Sequence, residues 1–373
     1  MTVVEGDRMD TPVDADDDRP LVLAVNPGST STRVALFRDA PGGPRPEADV
    51  ELRHDRESLA SVSLWGQLPL RRSVALEFLA REGVEPGGLA AVAGRGGLLH
   101  PVEGGVYEVS DAMLRDAKAG VQGRHPANLG APLARDIAAR MGGRAFVVDP
   151  VSVDEFAPEA RLSGHEALPR RSLSHALSVR SAVRTLAGEL GRPWREVRAV
   201  VAHLGGGVSV CPVRDGRIVD ANNAVSEGPF SPQRSGGLPV QELLDLVYAG
   251  ARSEAEVRRM TVGGGGFVSY LGTDDLAAVE RRRAAGDDEA DLVLRAFVYQ
   301  VAKEIGAMAT VLEGRLDAVV LTGGMARSER MTEEIAARTG FLAPVRVIPV
   351  GEMRALAEGA LAVLRGEEDA RVY

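Results

Sequence analysis

The chain has few of the features that mark secreted, membrane-bound or nucleic-acid-binding proteins. It has one cysteine, Cys211, in 373 residues, so no disulfide can form within it and a reducing, cytoplasmic location is expected. Aromatic residues make up 4% of the chain, too few to stack the bases of single-stranded nucleic acid. No apolar run is long enough to cross a bilayer, and the six histidines lack the spacing of zinc ligands.

An excess of positive charge is also missing, because the net charge is −9. Residues 1–18 hold seven acidic side chains and one basic side chain, which leaves about −3 for the rest of the chain. We therefore expect no nucleic-acid partner and no membrane partner. Residues 1–19 lack apolar periodicity and the apolar core of a signal peptide, so they are predicted to form a disordered acidic tail. The remaining length is too great for one compact core.

Glycine-rich turns follow three apolar strand patterns. Residues 21–39 read LVLAVNPGSTSTRVALFRD, a strand, a turn and a second strand. The layout recurs at residues 198–220, RAVVAHLGGGVSVCPVRDGRIVD, and the apolar strand in residues 317–327, DAVVLTGGMAR, runs into two glycines. Glycine lets backbone N–H groups approach an anion closely, although Asn-Pro-Gly is also ordinary hairpin punctuation. The repeated layout predicts a duplicated domain with a nucleotide between its halves.

Helix and strand periodicities alternate along the chain, which is typical of α/β domains. Helices are predicted at residues 70–82, 109–119, 128–141, 175–190, 291–312 and 353–364, and further strands at 89–93 and 145–148. The predicted domains are residues 20–149, completed by the last helix within 352–367, and residues 150–351.

Four polar side chains stand next to strand ends, glycine loops or helix starts: Arg95, Asp149, His175 and Arg234. The carboxyl ends of strands are where α/β sheets bind ligands. Two arginines can stabilise a phosphoryl group during transfer, and an aspartate can bind Mg²⁺. Each residue also has a plain structural interpretation. A lone arginine is usually a surface charge, Asp149 precedes a proline and can cap a turn, His175 can cap its helix, and His203 can be a core histidine.

Five segments together resemble the butyrate kinases of the acetokinase family, within the acetate/sugar kinase, heat-shock and actin superfamily. They are NPGSTSTR, GRGGLLHPVEGG, HLGGGVSV, NNAVSEGPFSPQRSGGLP and GEMRALAEGALAVLRG. The resemblance covers residues 20–367. It implies an α/β fold of two duplicated ribonuclease-H-like domains, an actin-like ATPase core, with an interdomain cleft. It also implies phosphoryl transfer from ATP, with Mg²⁺, to a short-chain carboxylate, and a homodimer or larger oligomer.

The resemblance also assigns roles to residues. Arg95 and Arg234 would bind carboxylate and phosphoryl oxygens, His175 would donate a hydrogen bond to the phosphoryl group, and Asp149 and Glu352 would organise Mg²⁺. The transferring phosphate would contact Asn26, Ser29, Thr30, Ser31 and Thr32, and the other nucleotide phosphates would contact His203, Gly205, Gly206 and Gly207. The adenosine would be bordered by Gly323, Gly324, Met325, Ala326 and Arg327.

Two glycines bear on the substrate. Gly97 and Gly123 stand where the acetate kinases have bulky residues, which predicts room for extra methylenes in the acid pocket. The alternative is that both glycines only set loop geometry, and that Leu98 fills the space. The competing functions are an acetate or propionate kinase of the same fold, and a non-catalytic ATPase related to actin or to chaperones.

Overall fold

The computed structural model describes residues 2–5, 17–55, 59 and 61–373. The chain forms two compact units. The first comprises Met1–Val153 with Gly351–Tyr373, and the second comprises Asp154–Val350. The predicted division, after residue 149 and near residue 351, lies close to these boundaries.

A seven-stranded mixed sheet forms the centre of the first unit. Its strands are β1 (Thr2–Glu5), β2 (Leu21–Pro27), β3 (Ser31–Arg38), β4 (Arg45–Arg53), β5 (Ala91–Arg95), β6 (Val106–Glu108) and β7 (Arg144–Val148). Their order in the sheet is β1-β4-β3-β2-β5-β7-β6. Strands β2, β5 and β7 are parallel neighbours, so their carboxyl ends share one edge of the sheet, where α/β proteins bind ligands.

Among the described residues of the first unit, three helices lie between its strands: α1 (Leu68–Arg81), α2 (Asp111–Ala119) and α3 (Gly130–Met141). Ser110 caps α2 by accepting a hydrogen bond from the Met113 N–H, and Gly120 ends it in the left-handed conformation. A short 3₁₀ helix (Pro126–Leu129) leads directly into α3. The predicted helix at 128–141 is therefore two consecutive elements.

The second unit contains a five-stranded mixed sheet. Its strands are β8 (Ala199–Leu204), β9 (Val208–Arg214), β10 (Arg217–Ile218), β11 (Ala318–Thr322) and β12 (Val345–Val347), in the order β10-β9-β8-β11-β12. Strands β8, β11 and β12 are parallel. Both predicted strand–turn–strand patterns form antiparallel hairpins, β2–β3 in the first unit and β8–β9 in the second.

Seven helices belong to the second unit. They are α4 (Ala176–Leu190), α5 (Val240–Tyr248), α6 (Glu254–Thr261), α7 (Phe267–Leu271), α8 (Leu276–Ala284), α9 (Asp288–Val311) and α10 (Glu329–Thr339). The predicted apolar stripe of α9 is buried and forms much of the core of this unit. The final helix, α11 (Glu352–Leu364), belongs to the first unit and packs on β2, β5 and β7.

Two described parts of the predicted disordered tail, residues 1–19, have local structure. Thr2–Glu5 form β1, which pairs antiparallel with β4. The β-branched residues at its centre favour a strand, and β4 would otherwise expose an unpaired edge. Asp17 accepts hydrogen bonds from Arg19. The part of the prediction that falls on residues 6–16 lies outside the described residues.

Within the described ranges, we find no helix that combines the length and the apolar character needed to cross a membrane.

Candidate active site

Three predicted site residues of the first unit lie at adjacent strand ends. Asn26 is near the end of β2, Arg95 ends β5, and Asp149 follows β7. In the sheet, Val25 is opposite Gly94, and Gly94 is opposite Val147. The parallel register therefore brings three polar side chains that are far apart in sequence to one edge.

Glu352, the first residue of α11, joins two of these side chains. Its Oε2 atom accepts hydrogen bonds from Asn26 Nδ2 at 2.9 Å and from Arg95 Nη1 at 2.8 Å. The Arg95 and Glu352 side chains are 21% and 26% exposed, so the ion pair is partly shielded from solvent. The Asn26 Oδ1 atom is buried and has no hydrogen-bond partner among the described residues. One carboxylate thus fixes an arginine and an amide at the sheet edge.

The β2–β3 turn carries unused donors. The Gly28 N–H donates to the Ser31 carbonyl at 2.9 Å. Within the described part of the chain, the N–H groups and hydroxyls of Ser29 and Thr30 make no hydrogen bond. Backbone and hydroxyl donors of this kind suit an anion.

Thr32 was predicted to contact the phosphate with its neighbours, but its side chain is fully buried. Its Oγ1 atom lies 2.8 Å from His54 Nε2 and accepts a hydrogen bond from Arg71 Nη1 at 3.1 Å. The alternation of side chains along β3 turns Thr32 towards the core. Thr32 is therefore part of the support beneath the turn, and its predicted phosphate contact is not supported.

Asp149 is 2% exposed and has a φ of +37°, a conformation that non-glycine residues seldom adopt. Two hydrogen bonds join Asp149 to the backbone of Gly105. The Gly105 N–H donates to Asp149 Oδ1 at 2.7 Å, and the Asp149 N–H donates to the Gly105 carbonyl at 2.9 Å. The strained backbone and the two hydrogen bonds fix the carboxylate after β7; its role in Mg²⁺ binding stays a prediction.

The structure does not support the predicted substrate-pocket role of Gly97. A Cβ atom at Gly97 would lie 2.5 Å from Asn128 Cα and 2.4 Å from Asn128 Oδ1. Asn128 therefore fills the space that the missing side chain leaves. Gly123 has a φ of +132°, and among the atoms of the described residues a Cβ there would have one close neighbour, Leu98 Cδ1 at 3.1 Å. Both glycines fit the alternative interpretation, in which they set loop geometry.

In the second unit, two predicted histidines form a pair. The His175 and His203 rings are stacked, with centroids 4.0 Å apart and planes inclined by 12°. His203 lies near the end of β8, and His175 precedes α4 but makes no side-chain capping hydrogen bond. Its Nδ1 atom is instead 2.8 Å from the Ser209 hydroxyl of β9. Helix capping therefore does not explain His175.

Arg234 and the glycine loop after β8 are packed together. The Arg234 Nη1 atom donates to the Ala224 carbonyl at 2.8 Å, and it lies 2.5 Å from the position that a Gly207 Cβ would take. The Ser231 hydroxyl donates to the Gly206 carbonyl at 2.7 Å. The segment around Arg234 thus packs against Gly206 and Gly207; its role in binding phosphoryl oxygens stays a prediction.

The second glycine loop lies beside the first. β11 ends opposite the end of β8, with Thr322 paired to His203. Gly323 has a φ of +91°, and a Cβ there would lie 2.3 Å from the Leu204 carbonyl oxygen. The 3₁₀ helix Gly324–Arg327 follows. Met325 is buried in the core, whereas Gly324 and Arg327 are exposed, so only the exposed residues are open to a ligand.

Sequence reasoning missed the residues that support the β2–β3 turn, above all Arg71. The buried residues of α1 are Arg71, Val74, Ala75, Phe78 and Leu79. This spacing is that of the apolar face of a helix. Arg71 stands three residues before Val74 on the same face, so helical periodicity alone could have predicted that this arginine is buried.

Solved structures share the fold at low sequence identity. The acetate kinase from Porphyromonas gingivalis has a TM-score of 0.75 and 19% identity, covering 92% of this chain and all of that one. A propionate kinase from Francisella tularensis has a TM-score of 0.72 and 18% identity, covering 91% of this chain and 98% of that one. The predicted α/β fold is confirmed.

Sequence comparison defines the class of protein as a phosphotransferase with a carboxyl group as acceptor. Residues 162–343 match the model of the acetokinase family. A protein described as probable butyrate kinase 2, from Caldanaerobacter subterraneus subsp. tengcongensis, is 44% identical over 357 residues, 94% of this chain and 99% of the relative. The chain belongs to the acetokinase family. The predicted resemblance is confirmed.

Replacing Gly97 tests the revised role of this residue. Gly97→Ala should lower the free energy of unfolding by about 1–3 kcal/mol, because the new Cβ overlaps Asn128. The ratio of kcat/KM for butyrate to that for acetate should stay within about twofold of the wild-type ratio. Gly164→Ala is the control, since no atom in the described part of the chain lies within 4 Å of its Cβ position. A Gly97→Ala protein of normal stability with a lost preference for butyrate would contradict the loop role.

Proposed function

We propose that the chain transfers the γ-phosphoryl group of ATP reversibly to butyrate or a closely related short-chain acid, forming an acyl phosphate and ADP. The observation that carries the proposal is the Glu352 carboxylate that fixes Arg95 and Asn26 at one sheet edge. A carboxylate oxygen of the acid attacks the γ-phosphorus. The bond from that phosphorus to the bridging oxygen breaks, and ADP leaves with the electron pair.

The chemistry needs positioning and positive charge rather than a general base. A carboxylic acid with a pKa of about 4–5 is already ionised at neutral pH. In the proposal, Arg95 binds the acid and Asn26 contacts the phosphoryl oxygens, with the unused donors of Ser29 and Thr30 beside them. Two preorganised arginines, Arg95 and Arg234, stabilise negative charge as it redistributes in the transition state.

The second unit supplies the proposed nucleotide contacts. The loops 205–207 and 323–324 lie at the ends of the neighbouring parallel strands β8 and β11, a common place for a phosphate-binding loop. His175 is assigned a hydrogen bond to the phosphoryl group. Its ring orientation is fixed by Ser209 and by stacking on His203. A fixed ring supports this role, because a hydrogen bond to the phosphoryl group requires the donor N–H to point in one direction.

Mg²⁺ is proposed as the partner of the nucleotide. Mg²⁺ bound with a nucleotide usually takes one or two ligands from carboxylates and the others from phosphates and water. Asp149 and Glu352 are carboxylates, the hard oxygen donors that Mg²⁺ prefers, and they are the proposed protein ligands. When bound, Mg²⁺ would neutralise phosphate charge.

A second copy of the chain is the proposed partner, giving a homodimer or larger oligomer. Helix α5 has no buried residue, yet its apolar side chains Val240, Leu244 and Val247 are exposed. A contiguous exposed apolar face is typical of an interaction surface. Because the proposed reaction consumes ATP, the proposed location is the cytoplasm.

Product analysis tests the proposed reaction. Trapping with hydroxylamine should detect acyl phosphate when the protein is given Mg²⁺, ATP and acids of two to six carbons, with the highest kcat/KM for butyrate or isobutyrate. Each buried methylene contributes about 0.8 kcal/mol, so butyrate should exceed acetate by about tenfold. Acetate or propionate ranking first would support the alternative kinase. ATP hydrolysis without acyl phosphate would support the ATPase alternative.

Two arginine variants test the residue roles. Arg95→Ala and Arg234→Ala should each lower kcat by about 10²-fold or more, the effect of losing a preorganised charge donor. Arg81→Ala is the control, because Arg81 is an exposed cation at the end of α1 that pairs with its sequence neighbour Glu82 and lies over the Phe78 ring. Circular dichroism and thermal melting should show that all three proteins are folded. Turnover near the wild-type value in a folded Arg95 or Arg234 variant removes that residue from the mechanism.

A further inference from the structure

A fully buried arginine lies beneath the β2–β3 turn. Arg71 has 0% exposure and stands on the buried face of α1 with Val74 and Phe78. Charged side chains are seldom fully buried unless a partner neutralises them. No ion pair joins Arg71 to any carboxylate of the described residues. Arg71 is therefore a buried positive charge without a neutralising carboxylate among the described residues, and its surroundings must compensate for the cost of burying it.

Every acceptor that the described residues offer to this guanidinium is neutral. Nη1 donates to the Ser31 carbonyl at 2.6 Å and to the Thr32 hydroxyl at 3.1 Å. Nη2 donates to the Gly28 carbonyl and to Gln67 Oε1, both at 2.9 Å, and Nε donates to the same Gln67 oxygen at 3.3 Å. Two of the carbonyls belong to the turn assigned to the transferring phosphate. The Gly28 and Ser31 carbonyl groups point towards the guanidinium because they accept hydrogen bonds from it. The N–H and hydroxyl groups of Ser29 and Thr30 are therefore the turn's donors that can bind an anion.

The neighbouring groups leave the positive charge in place at neutral pH. Burial lowers the pKa of Arg71 to about 10, so the side chain is still protonated. Burial and then the charge of Arg71 also lower the pKa of His54, which favours the neutral imidazole beside Thr32. Among Arg71, His54 and Thr32, Arg71 thus carries the positive charge.

We propose that Arg71 is a positioning residue that holds the β2–β3 turn in its anion-binding conformation and supplies positive charge from beneath the turn to the terminal phosphate of the nucleotide. The inference rests on the proposed assignment of this turn to the transferring phosphate. Arg71 touches neither substrate, and it acts through the turn carbonyls and through its electrostatic field. The field is effective because buried charges are weakly screened.

Gln67→Glu separates the charge of Arg71 from its hydrogen bonds. The substitution keeps the acceptor atom 2.9 Å from Arg71 Nη2 and adds a negative charge that neutralises the guanidinium. If Arg71 only pins the turn, the charge-assisted hydrogen bond maintains or strengthens the conformation, and nucleotide binding is unchanged. If the charge acts on the phosphate, affinity falls although the turn is still held.

The expected result is a loss specific to the terminal phosphate. By calorimetry, Gln67→Glu should bind a non-hydrolysable ATP analogue about tenfold more weakly than wild type, and ADP within about twofold of wild type. Its melting temperature should not fall. Arg71→Met, which loses both charge and donors, should lose affinity for the analogue and also stability. Arg72→Met is the matched control: Arg72 is a partly exposed cation on the same helix, paired with Asp136, and its loss should change neither affinity by more than twofold.

Unchanged affinity of folded Gln67→Glu for the ATP analogue would overturn the inference, and so would an equal loss for ADP. Should Gln67→Glu not fold, Arg71→Lys decides by comparison with Arg71→Met, because lysine keeps the charge but not the set of guanidinium hydrogen bonds. A smaller loss of affinity for the analogue in Arg71→Lys than in Arg71→Met supports the inference, and an equal loss in the two variants contradicts it. The proposed function fails separately, if wild-type protein binds both nucleotides but forms no acyl phosphate.

Discussion

The arrangement of the Asn26 and Arg95 side chains in the first unit depends on one carboxylate. Glu352 accepts hydrogen bonds from Arg95 and Asn26, residues 257 and 326 positions away in the chain. These contacts require α11 to pack on β2, β5 and β7, so the helix that completes the unit also sets the strand-end side chains. An ion pair at this position limits the rotamers of Arg95 and presents it in a defined orientation. For a reaction that relies on positioning and charge rather than on a base, such preorganisation is the main requirement.

Close backbone packing supports the same edge. A Cβ at Gly94 would lie 2.2 Å from the Gly130 carbonyl oxygen, and one at Gly97 would overlap Asn128. The segment that carries Arg95 therefore lies directly against the start of α3 and the 3₁₀ helix before it. Glycine is needed there because no other residue lets two backbones approach so closely. The same constraint recurs in the second unit, where Gly207 lies under Arg234 and Gly323 lies against Leu204.

Features with a local cause could be predicted from the sequence. The two hairpins and the α9 stripe follow from short-range periodicity, and both are present in the structure. The position of Asn26, Arg95 and Asp149 at strand ends also followed from local pattern. The packing partners of Thr32 and Gly97, which are His54 and Asn128, could not be predicted, because no local pattern identifies them. The contact of Glu352 with Arg95 is equally non-local, whereas the buried position of Arg71 was readable from helical spacing.

The central claim is that Glu352 acts through Arg95, and a double-mutant cycle on kcat tests it most directly. Glu352→Gln, Arg95→Ala and the double variant would be compared with wild type in the acyl phosphate assay. Groups that act as a unit give strongly non-additive effects. The account predicts that the loss of kcat in the double variant is clearly smaller than the product of the two single losses, but larger than that of Arg95→Ala alone, because Glu352 also holds Asn26 and is a proposed Mg²⁺ ligand. Fully multiplicative losses, which would mean that Glu352 and Arg95 act independently, would contradict it.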